Sequence, residues 1–239
     1  MQIIKLDATE STNLYLKNLI SNVHLDDYAA VISQFQTNGR GQFGTKWDSD
    51  AGKNLLISVL RKDIDFNIEE QFYINMRVTL AVYMTLKYFN IPKLSIKWPN
   101  DILSCDKKIS GVLIEFIIKN KIIRHTIIGL GLNVNQIFFQ NLPNATSMKL
   151  VLNKSTCLDK LRIKFLKKLK YYFSLKNNQD ISIIYHKLLY KNGEICSFKT
   201  KGGYLLKGQI NGVSYDGKLK ILLNGSIKEF ELKSIQMIN

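Results

Sequence analysis

The spacing of hydrophobic positions alternates along the chain between the period of about two residues that marks a strand and the period of about 3.6 that marks a helix. Short apolar runs rich in β-forming residues predict strands at residues 1–7, 29–35, 54–60, 95–98, 108–116 and 122–134. Helical spacing predicts helices at residues 12–22, 69–88, 156–175 and 180–191. The polar turn Lys119-Asn120-Lys121 joins the last two strands, which indicates an antiparallel hairpin.

The pattern changes after Asn192-Gly193, where short alternating runs replace the helices. These runs are separated by Gly202-Gly203, Asp216-Gly217 and Asn224-Gly225, of which the last two are strong hairpin signals. The spacing predicts a small β-barrel of about five strands. We therefore predict two domains, residues 1–192 and residues 193–239.

The composition indicates a folded protein. The chain has 239 residues, 46% of them hydrophobic, which suits one large domain with a small appendage. The apolar runs fall far short of the roughly 20 residues that cross a bilayer. Lys5, Asp7 and Glu10 interrupt the N-terminus, so no signal peptide is expected there. We predict a cytoplasmic protein that does not bind membranes.

The cysteines and histidines are scattered. Neither a disulfide framework nor a structural zinc site is predicted, because no two of these residues have the spacing of such sites; they are Cys105, Cys157, Cys196, His24, His125 and His186.

The formal net charge of +15 raises the possibility of a basic nucleic-acid-binding protein, since clustered Lys and Arg bind a phosphate backbone. Lysine is abundant throughout the chain, however. The densest run, residues 160–170, spaces its apolar residues as an amphipathic helix does, which favours a solvated helix face. Nucleic-acid binding stays open as an alternative of a different class.

Residues Gly39 to Gly44 satisfy G-x-G-x-x-G, the pattern of dinucleotide-binding folds. That site needs a helix to begin at the third glycine, whereas here a strand follows. A kinase glycine-rich loop does lie between strands, but no kinase catalytic loop follows it. Both interpretations are disfavoured.

The glycine-rich segment takes on another meaning when it is compared with three further motifs. Ser11-Thr12-Asn13, the segment from Gln36 to Trp47, Lys97-Trp98-Pro99-Asn100-Asp101 and Lys107-Lys108-Ile109-Ser110-Gly111 together resemble the ligand-handling elements of biotin protein ligases, in the family's order. The resemblance implies an α+β fold, in which helices flank a mixed or antiparallel sheet as in class II aminoacyl-tRNA synthetases, with a small C-terminal SH3-like barrel.

The resemblance also implies ligand-binding residues. Hydroxyls and amides beside an apolar pocket suit the ureido ring of biotin. Implied biotin-binding residues are Ser11, Thr12, Asn13, Gln36, Gly39, Arg40, Gly41, Gln42, Lys108 and Gly111. Implied ATP-binding residues are Arg40, Trp47, Lys97, Asn100 and Asn133. Asp101 would organise magnesium or neighbouring cations, and Gly129 and Gly131 would keep one sheet face free of side chains.

The implied reaction is the activation of biotin by ATP with Mg²⁺, in which Arg40, Lys97 and Lys108 are catalytic, followed by transfer to a lysine of a biotin carboxyl carrier protein, the acceptor of a carboxylase such as acetyl-CoA carboxylase. A lipoate ligase of the same fold is the nearest alternative. The expected form is a monomer or homodimer. No room precedes Ser11 for the winged helix of some relatives, so no operator DNA is expected as a partner.

The chain departs from the family pattern at Gln42, Phe43 and Thr45, where many relatives carry arginines. Fewer charges therefore lie in this loop. The difference in charge bears on how tightly the site retains the activated intermediate.

Overall fold

Residues 3–187 are built on a seven-stranded mixed sheet. The computed structural model describes residues 2–140 and 142–238, so Met1 of the predicted first strand lies outside the described residues. The strands are β1 (Ile3–Thr9), β2 (Ala30–Gln36), β3 (Leu55–Asn67), β4 (Leu94–Lys97), β5 (Asp101–Ser104), β6 (Lys107–Lys119) and β7 (Ile122–Leu132). Their order across the sheet is β1-β2-β3-β7-β6-β5-β4. Only β1 and β2 pair in parallel among these described strands.

Helices cover both faces of this sheet. They are α1 (Thr12–Ile20), α2 (Gln71–Tyr88), α3 (Met148–Leu152), α4 (Leu158–Ser174) and α5 (Asn178–Lys187). Helix α1 packs its Leu16 with Leu60 and Ile127. The next residue of β7, Ile128, belongs to the larger core that includes α2, α4 and α5. Because neighbouring strand residues point to opposite faces, α1 lies on one face of the sheet and α2 on the other.

The basic run at residues 160–170 lies on α4, as predicted. Leu161, Phe165 and Leu169 are fully buried, whereas Lys160 and Lys167 are exposed. The lysines thus form the solvated face of an amphipathic helix. Among the described residues, no helix is both long and apolar enough to span a bilayer.

A second, antiparallel sheet of five strands follows α5. It contains β8 (Ile195–Thr200), β9 (Leu205–Val213), β10 (Leu219–Leu223), β11 (Ser226–Phe230) and β12 (Ile235–Ile238), in the order β11-β10-β9-β8-β12. Asn224 and Gly225 both have positive φ, 48° and 80°, as a tight hairpin turn requires. The strand number is as predicted and is compatible with an SH3-like barrel. The division into two domains at residue 192 stays a prediction.

Several predicted boundaries were wrong. Strand β3, predicted to end at residue 60, continues to Asn67 after an irregularity of register beyond Lys62, because β7 is long enough to pair with it. The last helix ends at Lys187 rather than at residue 191. Strand β5 and helix α3 were not predicted, since each is too short to carry a clear period.

Candidate active site

A cavity of about 520 Å³ lies between the seven-stranded sheet, the glycine-rich loop after β2 and the five-stranded sheet. It brings together most of the side chains that the sequence motifs predicted. The predicted residues that line it are Thr12, Asn13, Gln36, Arg40, Gly41, Gln42, Trp47, Lys97, Asn100, Asp101, Lys108 and Gly111. Ser11, Gly39 and Asn133 do not line it. Four motifs that are far apart in sequence therefore converge on one space.

The polar end of the cavity is formed where α1 begins. The buried Thr12 donates its backbone N–H to Gln36 Oε1 at 2.8 Å, which ties the helix to the end of β2. Asn13, also buried, lies directly over Gly129 of β7: a Cβ atom at Gly129 would stand 2.3 Å from Asn13 Oδ1. Glycine is needed at this position because the Asn13 side chain packs directly on its backbone.

Gly131 and Gly111 extend the same bare surface along β7 and β6, where they pair with one another. A Cβ atom at Gly131 would lie 2.4 Å from the indole of Trp47, and one at Gly111 would lie 3.2 Å from that ring. We call Gly111, Gly129 and Gly131 the glycine wall. The indole N–H of Trp47 is buried and has no acceptor among the described residues, so it is available to an acceptor on a ligand.

The glycine-rich loop folds as a small hairpin, residues 39–47, opposite this wall. The N–H of Gly41 donates to Thr45 O at 2.6 Å, and the N–H of Trp47 donates to Gly39 O at 2.9 Å. The Thr45 hydroxyl donates to Gln42 O at 2.9 Å. Gln42 and Thr45, two of the positions where the sequence departs from the expected family pattern, thus close the turn of this loop hairpin.

Phe43 is the tip of the loop hairpin and reaches the C-terminal part of the chain. Its φ is 56°, and its side chain is 54% exposed. Lys233, in the segment before β12, donates from Nζ to Phe43 O at 3.3 Å, and its Nζ lies 4.3 Å from the centre of the Phe43 ring. The loop hairpin therefore bridges the two sheets.

Of the five cationic residues that line the cavity, Arg40, Lys97 and Lys108 are the three that the sequence motifs predicted; the other two are Lys46 and Lys233. Arg40, on the loop hairpin, pairs with Glu10 at 3.1 Å between Nη2 and Oε1. Lys108, on β6, pairs with Asp101 at 2.7 Å between Nζ and Oδ1. Lys97 ends β4 and is the strand partner of Asp101. Arg40 and Lys108, which come from different elements, line the same cavity as Lys97.

The side-chain amides of the two asparagines that were predicted to bind ATP donate hydrogen bonds to backbone carbonyls. Asn100, which lines the cavity, is bonded to Val112 through both its side-chain amide and its own carbonyl. Asn133 donates from Nδ2 to Thr146 O at 2.9 Å and is buried behind the site. Their contacts to a nucleotide stay predictions.

Asp101 is the one acid predicted at a metal site. Its carboxylate is paired with Lys108, and residues 2–140 and 142–238 contain no group of three or more His, Cys, Asp or Glu side chains placed to hold a metal ion. The described side chains therefore do not fit a metal site formed by the protein alone.

The model of the biotin/lipoate A/B protein ligase family matches residues 6–133 of the chain, which is more than half of its length. The chain belongs to this family. The matched residues include α1, the loop hairpin and the glycine wall.

Curated relatives have related sequences over the same part of this family member. The chain is 30% identical to the bifunctional ligase/repressor BirA of Escherichia coli over 129 residues, 54% of the chain and 39% of that protein. It is 29% identical to the biotin--[acetyl-CoA-carboxylase] ligase of Mycobacterium tuberculosis over 150 residues, 62% of the chain and 54% of that protein. The chain thus matches about two-fifths to one-half of the length of these relatives.

A solved structure covers the whole fold of this family member. The biotin protein ligase from Aquifex aeolicus in complex with biotin and ATP superposes with a TM-score of 0.83 at 26% identity, over 99% of this chain and 98% of that one. The predicted fold, a sheet flanked by helices with a small C-terminal β structure, is confirmed.

The contribution of the C-terminal part of the chain to the cavity was not predicted from the sequence. Leu232, Lys233 and Met237 line it, and Trp98 donates its indole N–H to Gly217 O at 2.9 Å in the turn between β9 and β10. Tyr190 also lines it, where burial, and then the Asp106 carboxylate, raise the pKa of its phenol to about 12. No local pattern indicates such long-range contacts.

Three further polar residues near the site were also missed: Glu10, Ser58 and Glu115. Glu10 holds Arg40, while Ser58 and Glu115 contact Asn13. A weak signal existed for two of them. Ser58 is the one hydroxyl in the apolar run at residues 54–60, and Glu115 is the one acid in the apolar run at residues 109–118.

Proposed function

We propose that this chain is an ATP-dependent biotin protein ligase. It activates biotin as biotinyl-5′-AMP, releases pyrophosphate, and transfers biotin to a lysine of a biotin carboxyl carrier protein. The observation that carries the proposal is the convergence of Arg40, Lys97 and Lys108 on a cavity whose other end presents Thr12 and Gln36. Relatives named as biotin ligases, one of them solved with biotin and ATP, support the choice of ligands.

In the first step the biotin carboxylate attacks the α-phosphorus of ATP, and the bond to pyrophosphate breaks. Negative charge develops on the phosphoryl oxygens, so cations held at that point stabilise the transition state. Arg40 donates to a carboxylate or phosphate through a planar fork, whereas Lys97 and Lys108 act as point charges.

Arg40 and Lys108 must exchange their carboxylate partners for ligand oxygens. The exchange costs little at Arg40. The side chains of Arg40 and Glu10 are 47% and 48% exposed, and such solvent-exposed pairs are worth about 1 kcal/mol or less. Glu10 and Asp101 keep the two cations near the cavity before the ligands bind.

In the second step a lysine amine of the carrier attacks the activated carbonyl, and AMP leaves. No serine or cysteine nucleophile is needed, because ATP has already activated the acid. The mixed anhydride is prone to hydrolysis, so the site must exclude water until the amine arrives. The loop hairpin, which closes one side of the cavity, performs this role.

Magnesium enters as part of the substrate. Mg²⁺ is ordinarily held by substrate phosphates together with one or two carboxylates, and it keeps several waters. The MgATP complex therefore brings its own metal to a cavity in which Asp101 is paired with Lys108.

The test is to mix the protein with biotin and MgATP and to look for biotinyl-5′-AMP by mass spectrometry and for released pyrophosphate. Arg40→Ala and Lys108→Ala should each lower the rate about 100-fold, the loss typical when one stabilising group is removed from a charged transition state. Lys176→Ala removes an exposed lysine that does not line the cavity and is the control. Lipoate in place of biotin separates the two acids that the family activates. Unchanged rates in both variants would remove these residues from the mechanism.

A further inference from the structure

Ser58 and Glu115 lie behind the polar end of the cavity and have no part in the steps above. Ser58 is fully buried in β3, where it pairs with Gly129 of β7. Glu115 is on β6, two residues beyond Leu113, the other strand partner of Gly129. Because both side chains share the face that Gly129 leaves bare, they flank Asn13 from two sides. Neither lines the cavity itself.

Glu115 fixes the orientation of the Asn13 amide. Asn13 Nδ2 lies 2.9 Å from Glu115 Oε2 and 3.4 Å from Leu113 O. A carboxylate and a carbonyl accept hydrogen bonds and cannot donate them, so the NH₂ group of Asn13 must face these oxygens. Asn13 Oδ1 therefore points the other way, at Ser58, whose Oγ is 2.5 Å distant.

The orientation of Asn13 then fixes the proton of Ser58. Asn13 Oδ1 is an acceptor only, so the Ser58 hydroxyl must donate to it. Ser58 Oγ also lies 2.8 Å from Thr12 Oγ1. Since Ser58 has a single proton and has used it on Asn13, it accepts in this second bond, and the Thr12 hydroxyl donates to Ser58.

The distances around Thr12 agree with this direction. Thr12 Oγ1 lies within hydrogen-bond distance of Gln36 Oε1, at 3.1 Å, but its 2.8 Å contact with Ser58 Oγ is shorter, and the single hydroxyl proton of Thr12 is needed there because Ser58 has no proton left to donate. Gln36 Oε1 instead accepts the backbone N–H of Thr12 at 2.8 Å. With its oxygen used in this way, the Gln36 amide presents its NH₂ group as the donor.

We propose that Ser58 and Glu115 are positioning residues that set the hydrogen-bond polarity of the substrate pocket. The ordered series Glu115, Asn13, Ser58, Thr12 leaves Thr12 Oγ1 only lone pairs to offer the cavity, while Gln36 offers N–H. A cyclic urea, with N–H donors beside a carbonyl acceptor, is the complementary group. This inference rests on the proposed function, because the urea concerned is the ureido ring of biotin.

The first test is Ser58→Ala, which frees the Thr12 hydroxyl to rotate. The KM for biotin should rise about tenfold, the effect of one misdirected hydrogen bond, while the KM for ATP and the kcat change little. Ser104→Ala is the matched control. Ser104 is equally buried in a strand and loses one hydroxyl bond, to Pro92 O at 2.9 Å, but does not line the cavity.

A second measurement separates polarity from packing. The probe is a cyclic carbamate, a biotin analogue in which oxygen replaces the ureido N–H that would donate to Thr12. Its ring places a lone pair next to the lone pairs of Thr12 Oγ1. The wild-type protein should discriminate against it by at least about tenfold, and Ser58→Ala should lose most of that discrimination because its Thr12 hydroxyl can turn and donate. Glu115→Leu should behave like Ser58→Ala. Glu115→Gln, which can still offer Asn13 an oxygen, should recover most of the wild-type discrimination.

The outcomes are separable. A wild-type protein that forms no biotinyl-5′-AMP overturns the proposed function. Formation of biotinyl-5′-AMP together with unchanged biotin KM and unchanged carbamate discrimination in Ser58→Ala overturns the positioning role alone. If Ser58→Ala unfolds at a temperature where Ser104→Ala is folded, Ser58→Cys replaces it. The thiol is a weak donor of similar shape, so discrimination should fall by a smaller factor, and discrimination equal to the wild type would overturn the inference.

Discussion

The glycine wall and the tip of the loop hairpin use glycine for different purposes. On the glycine wall, Gly111, Gly129 and Gly131 lie in paired strands and are needed because other groups come within van der Waals distance of their backbone. On the loop hairpin, Gly44 has a φ of 79°, and a Cβ atom there would meet nothing within 4 Å. The wall glycines provide space, and so do Gly39 and Gly41 at the base of the hairpin, where a Cβ atom would stand 2.3 Å from Trp47 O and 2.4 Å from Thr45 Oγ1. Gly44 at the hairpin tip instead provides a backbone conformation.

The glycine wall and the loop hairpin, on two sides of the cavity, also differ in how firmly they are held. Strands β6 and β7 are paired along their whole lengths in the middle of the sheet. Apart from the packing of Trp47 on the glycine wall, the loop hairpin is held by exposed contacts, such as the pairs of Arg40 with Glu10 and of Lys233 with Phe43. Exposed contacts of these kinds are each worth about 1 kcal/mol or less. We infer that the wall sets the shape of the ligand and that the hairpin sets how long the ligand stays.

The largest effect is expected from Gly129→Ala. Its methyl group would stand 2.3 Å from Asn13 Oδ1 in a part of the sheet that cannot yield, so Asn13 must move. Misplacement of such a positioning group should lower kcat/KM for biotinyl-5′-AMP formation about 100-fold. Gly44→Ala, on the hairpin, is the counterpart and should cost stability of about 1 kcal/mol with little change in the biotin KM. Equal kinetic losses in the two variants would contradict the distinction between the two sides.

A smaller effect is expected where the two sides meet. Gly131→Ala would place a methyl group 2.4 Å from the Trp47 indole. Because Trp47 is on the loop hairpin and not in a strand of the seven-stranded sheet, we expect the indole to withdraw. We expect the KM for ATP to rise about tenfold, as when one aromatic packing contact is lost. The chain has two tryptophans, so in a Trp98→Phe background the emission of Trp47 reports its exposure directly. An unchanged emission maximum would show that the wall, and not Trp47, had moved.

The features that the sequence predicts are local, whereas the contacts that it does not predict join distant parts of the chain. The loop motif, the strand end at Lys97 and the hairpin turn at Asn120 depend on local chemistry, and their elements were predicted within a few residues. The pairing of Arg40 with Glu10 and the contact of Phe43 with Lys233 join residues 30 and 190 positions apart. Such contacts arise from tertiary packing, which no single-sequence period records.

Ser58 illustrates the intermediate case. A hydroxyl in the middle of an apolar strand is visible in the sequence as an exception to the pattern. The role of Ser58 depends on the strand register, which pairs it with Gly129. The Asn13 side chain packs over Gly129 and so comes within reach of Ser58. Register depends on the partner strand, so the sequence shows that Ser58 is an exception to the apolar pattern but does not show which residues it contacts.

Lys233→Ala tests the retention assigned to the hairpin. It removes the hydrogen bond to Phe43 O and the cation above the Phe43 ring. The release rate of biotinyl-5′-AMP should rise about threefold, since an exposed cation–π contact is worth roughly 0.5–1 kcal/mol. The rate of its formation should change less. Lys228→Ala, which removes an exposed lysine of β11, is the control. An unaltered release rate would mean that Phe43 and Lys233 do not hold the loop.

The turn between β9 and β10 of the five-stranded sheet also contacts the cavity lining, at the segment that follows β4. Gly217 O in that turn accepts the indole N–H of Trp98. Within the turn, Asp216 pairs with Lys218 at 2.8 Å and accepts from the Ser214 hydroxyl. These bonds, the one from Lys218 first, lower the pKa of the Asp216 carboxyl below its usual 3.8.

The smallest effect is therefore expected for Asp216→Asn, and it should depend on pH. A carboxyl whose pKa is lower in the folded state than in the unfolded state adds stability above the unfolded value, and that stability is lost as the pH falls through the folded value. The wild type should be more stable than Asp216→Asn by less than about 1 kcal/mol at pH 7, and the difference should decrease as the pH falls from 3.8 through the lower pKa of the folded state. Urea unfolding across this range measures it, with Asp26→Asn, at an exposed loop position, as the control. Release of biotinyl-5′-AMP at pH 7 should be unchanged, because this turn supports the fixed side of the cavity. A variant that released the intermediate faster would place the turn with the hairpin, and the contrast between the two sides would fail.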